Sequence, residues 1–316
     1  MTQQQYVQRL SETIIDNVGR VILGKREVVK LALAALYCRG HVLLEDVPGV
    51  GKTMLVKALA KSVGCSFKRI QFTPDLLPTD VTGVSVFNQK TGEFEFRPGP
   101  VMANVVLADE INRTSPKTQS ALLEAMEEAQ ITADGDTYPI PEPFFVLATQ
   151  NPIEYEGTFP LPEAQLDRFM FKLHLGYPDF QEEVNLLGRL QHVHPVDKLE
   201  QVAKIREILQ AGEAVKEIHV DQSLKNYIVR LIHSLRNHSQ VYLGASPRGS
   251  LAVFKGAQAL AGIEGRDYVI PDDIKLAARW ALPHRIILKP EAQLNGYSPE
   301  VLVTDILNQV PVPLEA

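Results

Sequence analysis

Residues 46–53 read Asp-Val-Pro-Gly-Val-Gly-Lys-Thr and lie between an apolar run, His41 to Leu44, and a helix-patterned segment, Met54 to Val63. An apolar run of this length predicts a buried strand, so the expected order is strand, glycine-rich loop and helix. Gly49 and Gly51 can adopt backbone conformations that turn successive N–H groups inward around an anion. The stretch therefore predicts an α/β fold with a phosphate-binding loop.

The end of this loop carries groups suited to a nucleoside triphosphate and its metal. Lys52 supplies a positive charge for the β- and γ-phosphates, and Thr53 offers a hydroxyl to Mg²⁺. The usual pattern, G-x-x-x-x-G-K-[ST], begins with glycine where this chain has Asp46, so a glycine-rich helix start without a ligand is the alternative. The residues predicted to contact ATP are Pro48, Gly49, Val50, Gly51, Lys52, Thr53 and Met54.

Composition and charge are those of an ordinary globular protein. The 316 residues, 45% hydrophobic and 22% charged, suffice for two domains. Lysine and arginine total 32 against 38 acidic residues, and this net charge of −6 argues against bulk electrostatic capture of nucleic acid. Cys38 and Cys65 lack metal-ligand spacing and are expected to be buried free thiols. The polar segment Met1 to Gln8 and the lack of a long apolar run predict a cytoplasmic protein without a membrane span.

Short apolar segments alternate with helical patterns through the first part of the chain. Because these segments lack strict polar alternation, they predict a parallel sheet covered on both faces. The five strand candidates are His41 to Glu45, Ser66 to Phe72, Val105 to Asp109, Phe144 to Thr149 and Phe169 to Leu175. Two β-hairpins are predicted within this order, at residues 84–96 and 131–140.

After Tyr177-Pro178 the pattern changes to helices alone, which predicts a second, all-α domain. Its helix candidates are Phe180 to Gln191, Leu199 to Glu217, Gln222 to Asn237, Ser246 to Gly262 and Pro271 to Leu282. We expect a linker at His192 to Asp197, where Pro195 lies. The predicted domains are therefore a nucleotide-binding α/β domain at residues 1–192 and a helical domain at residues 193–316.

Polar side chains follow two of the predicted strands. Asp109 ends one strand and would hold Mg²⁺ through water, because oxygen ligands suit that ion. Glu110 would polarise the water that attacks the γ-phosphate. Asn151 follows a parallel strand, so we expect it beside Glu110, where it could orient the same water. The alternatives are a solvated strand end and a turn residue before Pro152.

Two arginines are candidates for neutralising the charge that builds up during phosphoryl transfer. Arg168 follows a short helix in the run Gln-Leu-Asp-Arg-Phe, and its alternative role is a local salt bridge. Arg248 follows Ser246-Pro247, a pattern typical of a helix start, and its alternative is an exposed helix-start residue.

Taken in order, these motifs resemble those of an AAA+ ATPase. The runs Glu110 to Arg113, Gln150 to Pro152 and Glu156 to Phe169 closely resemble the MoxR family, and the resemblance covers nearly the whole chain. It implies that Lys52 and Thr53 are the Walker A pair and that Asp109 and Glu110 are Walker B. It further implies the following roles: sensor 1 for Asn151, arginine finger for Arg168 and sensor 2 for Arg248.

The resemblance also implies an architecture and a way of working. The expected fold is an AAA+ P-loop NTPase core with a parallel five-stranded sheet, two β-hairpin inserts and a C-terminal all-α lid domain. The hairpins match the helix-2 insert and the pre-sensor-1 hairpin of the wider clade. The expected activity is ATP hydrolysis with Mg²⁺ in a homo-hexameric ring that remodels or matures a client protein, with a separate von Willebrand factor A domain partner. The adenine is expected beside Val21, Ile22 and Gly24, and core packing is the alternative role of this apolar turn.

Two other motor functions share this clade. A metal-chelatase motor, and metal insertion more generally, carries the same motifs and stays open. An MCM-like nucleic-acid motor would need basic hairpin tips. Here Lys90 is countered by Glu93 and Glu95, and the second hairpin carries Asp134 and Asp136. Nucleic acid is therefore not an expected partner.

Overall fold

The computed structural model of the chain describes residues 2–151, 157–190 and 195–313. The predicted linker at residues 192–197 lies partly outside these residues. The predicted domain boundary at residues 192–193, and Pro152 and Glu156 of the motif runs, lie outside them. The division into residues 1–192 and 193–316 stays a prediction.

The elements are numbered in chain order. The helices are α1 (Gln3–Gly19), α2 (Arg26–Tyr37), α3 (Lys52–Ser62), α4 (Pro78–Thr82), α5 (Pro116–Glu128), α6 (Glu163–Leu166), α7 (Phe180–Leu190), α8 (Ile205–Lys216), α9 (Gln222–Arg236), α10 (Pro247–Ile263), α11 (Pro271–Ala281), α12 (Pro290–Leu294) and α13 (Pro299–Gln309). The strands are β1 (Val42–Glu45), β2 (Phe67–Gln71), β3 (Gly83–Asn88), β4 (Glu93–Pro98), β5 (Val105–Asp109), β6 (Gln130–Ala133), β7 (Asp136–Pro139), β8 (Phe145–Gln150), β9 (Phe171–Leu173), β10 (Val241–Leu243) and β11 (Ile287–Leu288).

The main sheet has five strands in the order β2-β5-β8-β1-β9, and its neighbouring strands are parallel. This confirms the predicted parallel five-stranded sheet. Successive side chains of a strand point to opposite faces, so each face needs its own cover. Leu44 packs with α1, α2 and α3 on one face, whereas its neighbour Leu43 packs with α5 on the other. The central strands β5 and β8 are buried along almost their whole length.

The edge strand β2 departs from the prediction. Lys68, Arg69 and Gln71 are exposed, and Ile70 is its one fully buried residue. Coverage on both faces was therefore the wrong prediction for β2, because a strand with a single neighbour can leave polar side chains in solvent. Its polar residues reappear at the functional site.

The two predicted hairpins are confirmed as antiparallel pairs, β3 with β4 and β6 with β7. Asp134 and Gly135 form the turn between β6 and β7 with φ of 52° and 91°, as a two-residue hairpin turn requires. The rings of Phe96 and Tyr138 stack with their centroids 4.1 Å apart and so join the two hairpins.

The C-terminal region is mainly helical but also contains a short two-stranded sheet. Strands β10 and β11 pair antiparallel, so the prediction of an all-α domain was wrong for these residues. Strands of three and two residues are too short to produce a readable periodicity. The predicted helix from Leu199 begins instead at Ile205, where the Lys204 N–H donates to the Glu207 carboxylate at 2.8 Å. In the described residues, no helix combines the length and apolarity that crossing a membrane requires. Cys38 and Cys65 are free thiols and only half-buried.

Candidate nucleotide site

The phosphate loop connects β1 to the start of α3. Gly49 and Gly51 have φ of 90° and 96°, conformations that residues with a Cβ rarely adopt. A Cβ built on Gly49 would meet no atom within 4 Å, so the loop borders open space. Gly51 is the N-cap residue of α3 and provides no side-chain cap. The first amides of α3 therefore face the loop, as in an anion site at a helix start.

Lys52 lies in the first turn of α3 and folds back over the loop. Its Nζ donates to the backbone carbonyl of Asp46 at 2.6 Å. Burial lowers the pKa of the Lys52 ammonium, while the carboxylates of Asp46, Asp109 and Glu110 act in the opposite direction. The lysine charge thus lies within the electrostatic reach of both acidic strand-end residues. Thr53, the next residue, is half-buried in the same helical turn.

Asp46, the departure from the usual loop pattern, has a structural partner. Its carboxylate accepts hydrogen bonds from the backbone N–H of Leu175 at 2.5 Å and of Gly176 at 3.1 Å. Asp46 is buried, so these charge-assisted bonds compensate its desolvation. A glycine at this position could not fix the loop to the segment that follows β9.

Asp109 and Glu110 lie at the carboxyl end of β5 and share a contact with Thr149 of β8. The Thr149 hydroxyl donates to Asp109 Oδ1 at 2.6 Å and accepts from the Glu110 N–H at 2.8 Å. Glu110 has φ 57° and ψ 50°, a left-handed conformation that is uncommon outside glycine and concentrates at functional sites.

Two residues of the edge strand β2 complete this acidic pair. Arg69 Nε donates to Asp109 Oδ2 at 3.0 Å, and Arg69 Nη2 also donates to Gln71 Oε1 at 2.7 Å. Gln71 Nε2 in turn donates to Glu110 Oε2 at 2.8 Å, and Arg113 Nη1 contacts the same oxygen at 3.0 Å. A hydrogen-bonded chain therefore joins the two acids through β2.

The residue types present suit Mg²⁺. Thr53 has a hydroxyl and Asp109 a carboxylate, both hard oxygen donors, and in this structure the Asp109 carboxylate is bound by Thr149 and Arg69. Asn151 is buried and follows β8, the direct neighbour of β5, so it lies at the same edge of the sheet as Glu110. The structure thus brings together the phosphate loop, both acids and Asn151.

A cleft of about 430 Å³ borders the phosphate loop. Val21 and Ile22 line it together with Pro48 to Gly51 and Met54, so these predicted contact residues surround one space. Gly24 lies between Leu23 and Lys25, which both line the cleft, and a Cβ built on Gly24 would collide with the side chain of Glu182, another lining residue, at 1.3 Å. Tyr177 and Pro178 also line the cleft.

Arg168 and Arg248 lie apart from this site and share one carboxylate. Arg168 Nη2 lies 2.9 Å from Glu127 Oε2, and Arg248 Nη2 contacts Glu127 Oε1. Asp167 pairs with Arg285 at 2.7 Å rather than with Arg168, and it accepts from the Ser246 hydroxyl at 2.7 Å. The arginines are therefore held together by contacts between the sheet domain and the start of α10.

The arginines lie at the amino-terminal ends of the sheet strands, whereas the phosphate loop lies at their carboxyl ends. Both line a cleft with Gly40 and His41, which precede β1, whereas the loop follows β1. The backbone N–H of Met170, just before β9, donates to the His41 carbonyl at 2.7 Å. The four residues of β1 span roughly 13 Å along the strand, which is longer than an arginine side chain. Within one chain these arginines do not reach the loop.

Sequence reasoning missed Arg69, Gln71, Thr149 and Glu127. Polar residues at 68, 69 and 71 within a predicted strand were a usable signal for an exposed edge strand beside the acids. Thr149 was predicted only as the last residue of a strand, without a role at the site. Glu127 carries no local signal, because its two partners lie 41 and 121 residues away in the sequence.

Comparisons with known proteins agree with this geometry. Residues 41–171 match the ATPase family associated with various cellular activities (AAA), and residues 233–306 match the AAA lid domain. YeaC of Bacillus subtilis (strain 168) is 57% identical over 100% of this chain and 98% of its own length. Chaperone MoxR1 of Mycobacterium tuberculosis (strain H37Rv) is 44% identical over 96% of this chain and 82% of its own.

A crystal structure from Cytophaga hutchinsonii ATCC 33406, named as that of an ATPase, has a TM-score of 0.92 to this chain. The two chains are 41% identical, and the match covers 98% of this chain and 97% of that one. The sheet, the hairpins and the C-terminal helices agree with an AAA+ core followed by its lid. The chain therefore belongs to the MoxR family of AAA+ ATPases.

Proposed function

We propose that the chain hydrolyses ATP at sites formed between two copies of itself. The phosphate loop, Asp109, Glu110 and Asn151 of one copy would form one half of each site. Arg168 and Arg248 of the next copy would form the other half. The observation that carries this proposal is the position of the two arginines, side by side on Glu127 and at the edge of the sheet opposite the loop.

Each residue in the first half has a role that fits its chemistry. The amides around Gly49 and Gly51 and the Lys52 ammonium bind the phosphates. Thr53 and Asp109 would hold Mg²⁺, which would neutralise the negative charge of the phosphates. Val21, Ile22, Met54 and Tyr177 enclose the cleft that is suited to adenine. Gly24, with φ of 70°, forms the turn between Leu23 and Lys25, two residues that line the cleft.

Glu110 accepts the proton of the attacking water, and Asn151 orients that water from the neighbouring strand. In the structure Gln71 and Arg113 both bind Oε2 of the Glu110 carboxylate, so that oxygen would have to exchange a partner for water before it could act. Thr149 fixes the backbone of Glu110 during that exchange, because its hydroxyl holds the Glu110 N–H.

The second half of the site follows from charge. The transferred phosphoryl group gains negative charge in the transition state, and a guanidinium group can neutralise it. Two arginines at one point on the surface offer this charge to a partner. Sites of this kind require a head-to-tail contact, which generates a ring when its rotation closes, and the proposed ring is a homo-hexamer.

We further propose that ATP turnover remodels or matures a client protein in the cytoplasm. The name of the 44% identical relative, Chaperone MoxR1, supports a chaperone-like role. In its finer form the proposal names a partner with a von Willebrand factor A domain, and metal insertion as one form of the maturation. Asp134 lies at the turn of the second hairpin, and Lys90 at the turn of the first is countered by Glu93 at the start of β4, which favours protein over nucleic acid as the partner.

The activity is tested by Glu110→Gln, which keeps the shape of the side chain and removes its basic group. We expect ATP binding to be retained and turnover to fall by about 100-fold or more, because general-base catalysis contributes factors of this size. Binding is measured with a fluorescent ATP analogue and turnover by phosphate release. Glu128→Gln on the exposed end of α5 is the control. Unchanged turnover in Glu110→Gln would remove Glu110 from its role.

The Glu110→Gln variant can also be used to identify the client, because it is expected to bind ATP without hydrolysing it. Capture of interacting proteins on Glu110→Gln, compared with Lys52→Ala, selects partners that depend on bound nucleotide. A von Willebrand factor A domain protein among them is the expected result. A chelatase subunit in its place would redirect the proposal toward metal insertion.

A further inference from the structure

Helix α5 (Pro116–Glu128) ends with two acidic residues, Glu127 and Glu128. The carboxyl end of a helix carries a partial negative charge, so carboxylates are unfavourable there, and the basic residue of α5, Lys117, lies at the other end. Residues that oppose their local environment in this way are expected where function requires them. Glu127 has such a use, because its carboxylate is bound to both Arg168 and Arg248.

The backbone that carries Glu127 is held by a buried histidine. His41 Nδ1 accepts from the Val146 N–H at 3.1 Å, so the proton of the neutral ring lies on Nε2. That nitrogen donates to the carbonyl of Met126, the residue before Glu127, at 3.1 Å. The Glu127 side chain therefore extends from a fixed point at the amino-terminal ends of the sheet strands.

The two arginines come from different parts of the fold and are joined near their backbones by Ser246. Arg168 follows Asp167 before β9, whereas Arg248 lies in the first turn of α10, whose N-cap residue is Ser246. The Ser246 hydroxyl donates to Asp167 Oδ2 at 2.7 Å and accepts from the Arg248 N–H at 3.0 Å. One hydroxyl thus connects the start of α10 to the residue beside Arg168.

Glu127 joins the same two arginines at the ends of their side chains. Its Oε2 lies 2.9 Å from Arg168 Nη2, and its Oε1 contacts Arg248 Nη2. Two guanidinium groups side by side repel each other, and a carboxylate that contacts both of them offsets this repulsion. A guanidinium has five N–H donors, so binding one carboxylate oxygen leaves further donors for a phosphate.

We infer that Glu127 is a positioning residue for the proposed reaction and holds Arg168 and Arg248 as a pair that acts on the phosphates of ATP bound to the next copy. The inference rests on the proposed function. Arginine side chains have several rotatable bonds, and fixing both of them in advance lowers the entropic cost of reaching the transition state. Without the carboxylate the two side chains could separate, while the phosphate loop would be unaffected.

Three substitutions at Glu127 separate charge from size. Glu127→Ala removes the carboxylate, Glu127→Gln keeps the size with one acceptor oxygen, and Glu127→Asp keeps both oxygens on a shorter chain. We expect maximal ATP turnover to fall by about tenfold or more in the first two and by less in Glu127→Asp, because misplaced catalytic groups cost factors of this size. The ATP concentration for half-maximal turnover should stay within about twofold of the parent, since the loop half is intact.

Glu128→Ala, which removes the neighbouring exposed carboxylate, is the control and should leave both quantities unchanged. All variants should match the parent in thermal unfolding and in assembly, measured by analytical ultracentrifugation. If Glu127 served only to fill space, Glu127→Gln would be more active than Glu127→Asp. That order, or unchanged or higher turnover in Glu127→Ala, would overturn the inference.

Mixed assemblies show to which half of the site Glu127 belongs. A Glu127→Ala subunit keeps its phosphate loop, and a Lys52→Ala subunit keeps both arginines and Glu127. Their mixture should therefore exceed the summed turnover of the separate variants. A mixture of Glu127→Ala with Arg168→Ala should show no such gain, because both subunits are defective in the same half. The opposite pattern would overturn the inference.

A mixture of Lys52→Ala with Arg168→Ala separates this inference from the proposed function. If that mixture regains turnover while Lys52→Ala fails to rescue Glu127→Ala, the shared site stands and the role of Glu127 is overturned. If that mixture is inactive in verified mixed assemblies, the shared site and the role of Glu127 are both overturned.

Discussion

Thr149 shows how one hydroxyl can organise two acids. It is fully buried, donates to Asp109 Oδ1 and accepts from the Glu110 N–H. The left-handed backbone of Glu110 costs free energy, and this hydrogen bond helps to hold it. The geometry of the proposed catalytic carboxylate thus depends on a buried residue of the neighbouring strand.

Thr149→Val keeps the shape of the side chain and removes both hydrogen bonds. We expect the free energy of unfolding to fall by about 1–3 kcal/mol, because the Glu110 N–H loses its buried acceptor. ATP turnover should fall more than ATP binding, since the catalytic residue is displaced and the loop is not. Urea unfolding and phosphate release measure the two effects. Thr149→Ser should retain both the stability and the ATP turnover of the parent. If Thr149→Val changed neither quantity, Glu110 would be held by other contacts.

At the scale of elements, the phosphate loop and the segment after β9 are fixed to each other by Asp46. Its carboxylate binds the N–H groups of Leu175 and Gly176, and the chain then continues to Tyr177 and α7. His174 adds a contact between its Nδ1 and the Glu45 carbonyl at 2.5 Å. The loop and the cleft are therefore parts of one connected unit.

Asp46→Gly restores the usual loop pattern, yet we expect it to weaken the protein. Two hydrogen bonds to a buried carboxylate are lost and backbone freedom is gained, for a cost of about 1–3 kcal/mol. Thermal and urea unfolding with and without ATP measure this loss, and Asp75→Gly, at an exposed position, is the control. A more stable Asp46→Gly would mean that the aspartate does not tie the loop.

The buried elements were predictable from sequence and the placement of the arginines was not. Strands β1, β5 and β8 stand out because continuous apolar residues are needed where both faces are covered. The sites of Asp109, Glu110 and Asn151 then follow, since parallel strands end at one edge. Arg168 precedes β9 and Arg248 begins α10, and only the three-dimensional contact with Glu127 brings them together. Strands β10 and β11 are too short for a periodic signal.

At the scale of the molecule, two buried histidines make stability depend on pH. Burial lowers the pKa of His41 to about 4 and the pKa of His284 well below its usual value. His41 Nδ1 accepts from the Val146 N–H at 3.1 Å, so that nitrogen cannot take a proton without losing the bond. Between pH 6.5 and 4 the unfolded chain binds more protons than the folded one, so stability falls as the pH falls.

His41→Gln tests this dependence, because an amide can accept from Val146 and donate to Met126 without titrating. The free energy of unfolding of the parent should fall between pH 7.5 and pH 5 by about 2 kcal/mol more than that of the variant, at about 1.4 kcal/mol per proton and pH unit. Carboxylate titrations are common to both proteins and cancel in the difference. Equal pH profiles would show that His41 is not held neutral.

The central claim is that each ATP site is shared by two subunits, and mixed rings test it most directly. Lys52→Ala subunits lack the loop charge but keep both arginines, whereas Arg168→Ala subunits keep the loop and lack one arginine. Each alone should be inactive. In a random equimolar mixture about a quarter of the interfaces pair an intact loop with intact arginines, so ATP turnover should return to about that fraction of the parent. Mixed rings, verified by two affinity tags, that show no turnover beyond the sum of the separate variants would contradict the account.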